Sequence, residues 1–223
     1  MGDYYAAHLS AERLQQCYEL ASPRVRQYLE GELAFVLSRL SLSDAVLELG
    51  CGYGRILRRL AARARLVVGI DTSPTSVQLG RELLRDVANC HLLQMDAAAL
   101  GFGDQTFDVV VCIQNGISAF KVEPHRLLAE CLRVTRPGGR VLLSSYAAKF
   151  WPHRLEWFRL QAEHGLLGEI DWPATRDGVI VCKDGFRATT FAPDAFRALA
   201  ADLGVACRIE EIDESSVFCE LAV

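Results

Sequence analysis

The chain has 223 residues, 51% hydrophobic and 23% charged, which suits one large globular domain with a sizeable core and excludes an overall disordered chain. Its 24 Lys+Arg against 28 Asp+Glu leave a net charge of −4, with basic residues scattered among acids, so nucleic acid is not the expected partner. No apolar run approaches the roughly 20 residues that span a bilayer, no basic-then-apolar leader opens the chain, and the eight cysteines contain no Cys-x-x-Cys, a pattern that predicts reduced thiols in a cytoplasmic protein with no membrane and no metal site.

The first forty residues predict helices. Leu14, Cys17 and Tyr18, then Val25, Tyr28, Leu29, Leu33, Val36, Leu37 and Leu40 recur at three and four, interrupted near Pro23. Ser22-Pro23 fits a cap followed by proline at the first helical position. Residues 45–49 predict a strand running into glycines, and 54–64 a helix. Residues 66–70 predict a strand ending at Asp71, Ser73-Pro74 a helix start, and 91–95 a strand ending at Asp96. Residues 107–113 predict a fourth strand, whose triple valine suits cover on both faces.

An amphipathic helix over 123–135, a turn over 136–139 and a fifth strand over 140–145 follow. Strands alternating with helices predict a parallel sheet with helices on both faces. After Tyr146 the rhythm changes. Residues 150–164 read as an aromatic-rich helix, 169–191 as a hairpin turning at Lys183-Asp184-Gly185, and 193–203 as a helix. Residues 205–213 and 216–223 read as an antiparallel pair. The expected organisation is one domain: a helical cap (1–43), a core (44–146), an insertion (147–192) and a closing helix and strand pair (193–223).

Open α/β sheets bind ligands beyond the carboxyl ends of their strands. The first such end here is Glu48-Leu49-Gly50-Cys51-Gly52-Tyr53-Gly54-Arg55. Glycines let the backbone turn sharply and let a ligand approach the main chain. A dinucleotide fingerprint wants Gly or Ala where Arg55 stands, and the Gly-Lys-Ser/Thr of a triphosphate loop is absent. Asp71 ends the second strand, where a carboxylate can accept both hydroxyls of a ribose, and Asp96 ends the third.

These motifs, with Gly69-Ile70-Asp71, Met95-Asp96-Ala97, Phe107-Asp108 and Arg136-Pro137-Gly138-Gly139, resemble those of class I S-adenosylmethionine-dependent methyltransferases. The resemblance covers about residues 44–146. It implies an α/β, Rossmann-like, doubly wound sheet of seven strands with the last antiparallel. It puts the methionine part of S-adenosyl-L-methionine over Gly50, Cys51, Gly52 and Gly54, and the ribose on Asp71. The adenine falls near Thr72, Asp96 and Ala97, and the sulfonium beside Gln114 and Asn115, while Glu48 orients the loop.

In that family the acceptor is held by the N-terminal segment, the loop after strand four and the insertion after strand five. Tyr4, Tyr5 and Tyr18 then read as a lid or as helix packing, Asn115-Gly116 as a contact or a turn, and Phe150, Trp151, Trp157 and Phe158 as core or pocket roof. Ser118, Tyr146 and Trp151 fall on the expected acceptor side. His153 is the candidate base for an oxygen acceptor, with Tyr5 beside it as a second catalytic candidate. The expected activity is methyl transfer to a small or medium organic molecule by a monomer or homodimer. The alternatives are another reaction of the same fold, such as aminopropyl transfer, or a non-catalytic binding module.

Overall fold

The computed structural model describes residue 4 and residues 8–223. Helix α1 (Glu12–Glu19) and helix α2 (Pro23–Leu37) open the described chain, and Ser22 caps α2 by accepting the Val25 amide at 3.3 Å. Then alternate β1 (Ala45–Leu49), α3 (Leu57–Ala61), β2 (Leu66–Asp71), α4 (Pro74–Leu83), β3 (Cys90–Gln94) and β4 (Phe107–Cys112). A short helix α5 (Gly116–Ala119), which the sequence did not announce, precedes α6 (Pro124–Val134) and β5 (Thr135–Tyr146). The expected turn at 136–139 is absorbed into β5, where the pairing with β4 shifts register between Phe107 and Val109.

The insertion holds α7 (Trp151–Glu163) and a hairpin of β6 (Ile180–Val181) and β7 (Arg187–Ala188). Helix α8 (Pro193–Asp202), β8 (Cys207–Ile212) and β9 (Ser216–Ala222) follow. The main sheet has the order β3-β2-β1-β4-β5-β9-β8, with β9 antiparallel to both neighbours and the first five strands parallel. The expected seven strands with an antiparallel last strand are therefore present.

Alternation along the strands divides the apolar residues between two layers. Leu47, Val110 and Cys112 pack with Leu127, Leu128, Phe196 and Leu199 of α6 and α8. Val46, Val109 and Val111 face the other way, onto Leu33, Val36, Leu57 and Leu60 of α2 and α3. The triple valine of β4 is at most 2% exposed. A further apolar cluster joins α1 and the start of α2 to α7 and the insertion hairpin through Cys17, Tyr28, Phe150, Trp157 and Phe186. That cluster carries the N-terminal helices across the carboxyl edge of the sheet. Among the described residues no helix is long and apolar enough to cross a membrane.

Candidate functional site

The strand order reverses between β1 and β4, whose onward connections run in opposite directions, and a crevice opens at their carboxyl ends. A cavity of about 200 Å³ occupies it. Glu48, Gly50, Cys51 and Gly52 line it from β1, Asp71 and Thr72 from β2, Asp96 and Ala97 from β3, Gln114 from β4 and Tyr146 from β5. The far wall comes from α1 (Leu14, Cys17, Tyr18) and α7 (Trp157, Phe158, Gln161).

The glycine loop bends through left-handed backbone, with φ +68° at Gly50 and +56° at Gly52. The Phe120 ring lies over Gly50, where a Cβ would stand 2.5 Å from its Cε1, and Leu14 lies over Gly52. The Asp71 carboxylate fastens the bend, accepting the Gly52 amide at 2.9 Å and the Ser73 amide at 2.8 Å.

Two charged side chains on this wall are incompletely satisfied. Glu48 is 6% exposed and its Oε2 has no hydrogen-bond partner; the same holds for Nη2 of Arg55, whose guanidinium stacks 4.6 Å over the Tyr18 ring. Burial pushes the Glu48 carboxyl up to about 8, against the pull of Arg55 and helped by the negative charge of Asp71. A carboxyl that an incoming cation would ionise and an unmatched guanidinium donor thus share one cavity, which suits a ligand that carries both an ammonium and a carboxylate.

The turn after β4 is held from below. Gln114 and Asn115 are left-handed, with φ +55° and +63°, an arrangement that costs energy for residues with a Cβ. The Gln114 amide donates to Oε2 of Glu32 at 3.0 Å and to Oγ of Ser144 at 2.9 Å. The other Glu32 oxygen accepts from the Ser216 hydroxyl. Glu32 is fully buried on α2, and burial pushes its carboxyl up to about 7 although Ser216, Ser144 and the Gln114 amide pull it down. Above the turn, the Tyr18 hydroxyl donates to Oε1 of Gln114 at 2.7 Å.

Helix α1 is anchored on both sides of the crevice. The Trp157 indole donates to the Cys17 carbonyl at 2.8 Å, Arg13 reaches the Gly165 carbonyl at 2.8 Å, and the Ala11 amide donates to Oγ of Ser76 at 2.9 Å.

Several expected site residues stand elsewhere. Gly54 does not line the cavity; it makes room for Leu84 and Leu57, whose Cδ1 atoms a Cβ there would meet at 2.8 and 3.0 Å. Asn115 is buried and pins the sheet to the insertion, donating to the Thr189 carbonyl at 2.8 Å and accepting from Ser145 at 2.6 Å. Ser118 is half-buried on α5 away from the cavity wall. Trp151 packs at 5.8 Å against the Arg154 guanidinium, and Tyr4 donates to Asp184 at 2.5 Å, so both brace the insertion. His153 is exposed on the outer face of α7 with its ring centroid 5.6 Å from that of Phe150, off the cavity wall. Tyr5 lies outside the described residues.

Glu32 and Gln161 were missed. The signal for Glu32 was an acid within the apolar stripe of Tyr28, Leu29, Leu33 and Val36. For Gln161 it was the spacing of four and three from Trp157 and Phe158, which sets all three on one helical face.

Residues 46–139 match the family model of a methyltransferase domain. A demethylmenaquinone methyltransferase of Clavibacter sepedonicus is 35% identical over 104 residues, which is 47% of this chain and 42% of that protein. A phosphatidylethanolamine N-methyltransferase of Cereibacter sphaeroides is 36% identical over 107 residues, 47% of this chain and 51% of that protein. The chain thus spans about half the length of these relatives or less. Among solved structures, a SAM-dependent methyltransferase of Methanosarcina mazei aligns with a TM-score of 0.64 at 22% identity, over 85% of this chain and 97% of that one. A DhpI-SAM-HEP complex aligns with a TM-score of 0.66 at 19% identity, over 99% and 94%. At such identities the likeness is one of fold, and the fold is the Rossmann-like one of class I methyltransferases.

Proposed function

We propose that this chain, whose residues 46–139 match the model of a methyltransferase domain, binds S-adenosyl-L-methionine across the carboxyl ends of β1–β4 and transfers its methyl group to a small or medium organic acceptor. The observation that carries the reading is the pair of unmatched atoms, Oε2 of Glu48 and Nη2 of Arg55, on one cavity wall. They suit the ammonium and the carboxylate of the methionine part, above the bend from Gly50 to Gly52. Asp71 receives the ribose hydroxyls, Thr72, Asp96 and Ala97 border the adenine, and Gln114 lies beside the sulfur. The bound donor supplies a methyl carbon already activated by positive sulfur. The protein's share is alignment and the exclusion of water, for which α1 and α7 close the crevice. The unpaired cysteines fit a cytoplasmic setting.

Arg55 also separates this reading from aminopropyl transfer. A decarboxylated donor would leave the buried Nη2 unmatched, at the cost of an unsatisfied charged group. Calorimetry with S-adenosylhomocysteine tests the proposal, using wild type and Arg55→Met. Wild type is expected to bind, and the variant to lose about tenfold or more in affinity, the worth of a charge-assisted hydrogen bond of about 1.5–3 kcal/mol. Absence of binding to wild type, or unchanged affinity in the variant, refutes the assignment. Labelled methyl incorporation from the donor into a metabolite extract separates catalysis from simple binding.

A further inference from the structure

With the donor at the glycine loop as proposed above, the part of the cavity left for an acceptor is lined by Cys17, Tyr18, Tyr146, Trp157, Phe158 and Gln161. Polar atoms of two aromatic residues are committed to the protein: the Trp157 indole to the Cys17 carbonyl, and the Tyr18 hydroxyl to Gln114. Gln161 differs. It is 5% exposed, lines the cavity, and its side-chain amide makes no hydrogen bond with any described residue. Its main chain is held at the end of α7, where its backbone carbonyl accepts the Leu166 amide at 2.9 Å. An amide that lines a cavity and is not engaged by the protein is available, as donor and acceptor, to a ligand group there.

The charges around this end argue for a neutral ligand. Aromatic walls often hold cations, but these rings already face guanidinium groups, Arg55 at 4.6 Å over Tyr18 and Arg154 at 4.5 Å over Tyr146. An anion would face Glu48 and Asp71 across the cavity, with Arg55 taken by the donor's carboxylate.

We propose that Gln161 is the specificity-determining residue for the acceptor, and that the acceptor is an uncharged, flat apolar molecule whose hydroxyl or carbonyl oxygen pairs with the Gln161 amide. This rests on the S-adenosylmethionine reading. The test uses protein saturated with S-adenosylhomocysteine, whose own binding is measured first, and four probes in calorimetry: 4-methylphenol, toluene, 4-methylbenzoate and 4-methylbenzylammonium. The phenol is expected to bind at least tenfold tighter than either charged probe, a gap typical of burying an unmatched charge. Gln161→Leu and the nearly isosteric Gln161→Met are both expected to weaken the phenol about threefold to tenfold, the worth of one neutral hydrogen bond. Both should leave toluene and S-adenosylhomocysteine affinities unchanged. Failure of the phenol to bind, tighter binding of a charged probe, or equal loss of phenol and toluene in both variants overturns the proposal. Failure of S-adenosylhomocysteine to bind wild type overturns the cofactor reading instead.

Discussion

Replacing Glu32 by Gln should make the protein more stable at alkaline pH and leave it nearly unchanged in acid. Glu32 is fully buried, and its carboxyl rises from the ordinary 4.5 to about 7 on folding. A carboxyl raised in this way binds its proton more tightly in the folded state. Its contribution is therefore most favourable below pH 4.5 and is lost as pH rises through 7. A rise of roughly 2.5 units at 1.36 kcal/mol per unit amounts to about 3 kcal/mol lost by pH 8. Gln keeps the shape, its carbonyl can accept the Gln114 amide, and its amide can donate to the Ser216 hydroxyl. It carries no charge to desolvate. Urea unfolding of wild type and variant from pH 5 to 8.5 measures the difference, in which titrations common to both proteins cancel, including that of Glu48 near 8. The expected result is a variant advantage that grows by about 3 kcal/mol across this range. A difference that stays flat, or favours wild type as pH rises, refutes the account of Glu32 as a buried anion that the turn after β4 retains at a cost in stability.

Gly50→Ala should fold but lose S-adenosylhomocysteine affinity in calorimetry. A Cβ at φ +68° costs ~1–2 kcal/mol and pushes into the Phe120 ring. Retained affinity would mean that the loop can relax without moving the ligand. Trp157→Phe removes the bond to the Cys17 carbonyl, worth about 1 kcal/mol, and should speed amide hydrogen exchange in Glu12–Glu19. Unchanged exchange there would count against α7 as the anchor of α1. His153→Ala should leave labelled methyl incorporation unaffected, since the ring is exposed and off the cavity wall. A marked loss would restore it as a base.

The donor half of the site was legible because its residues lie where strands stop. Continuous buried apolar runs place the ends of β1 and β2 and a short half-buried run that of β3, and with them Glu48, Asp71 and Asp96, and the glycines after β1 announce a bend no other residue takes cheaply. The turn after β4 resisted for a local reason. Gln114 and Asn115 are adjacent, both left-handed, and both able to donate and accept, yet one faces the cavity and the other the β5–insertion seam. Nothing in Gln-Asn-Gly distinguishes those directions; the choice is made by Glu32 and Ser144 on elements far along the chain.

Helix α7 resisted for a deeper reason. Its buried face contains Arg154 and Gln161 beside Trp157 and Phe158, while Leu155 and Leu160 are only half-buried, so no hydrophobic period selects the inward side. That conflict is also why Trp151 and His153 looked as eligible as Trp157. Arg154 commits its two terminal nitrogens within the fold, donating to the Gly178 and Thr189 carbonyls. Gln161 has no such resolution within the fold. A helix that breaks its own pattern twice, and satisfies the breach from within at only one of the two residues, places its other polar group for something that comes from outside.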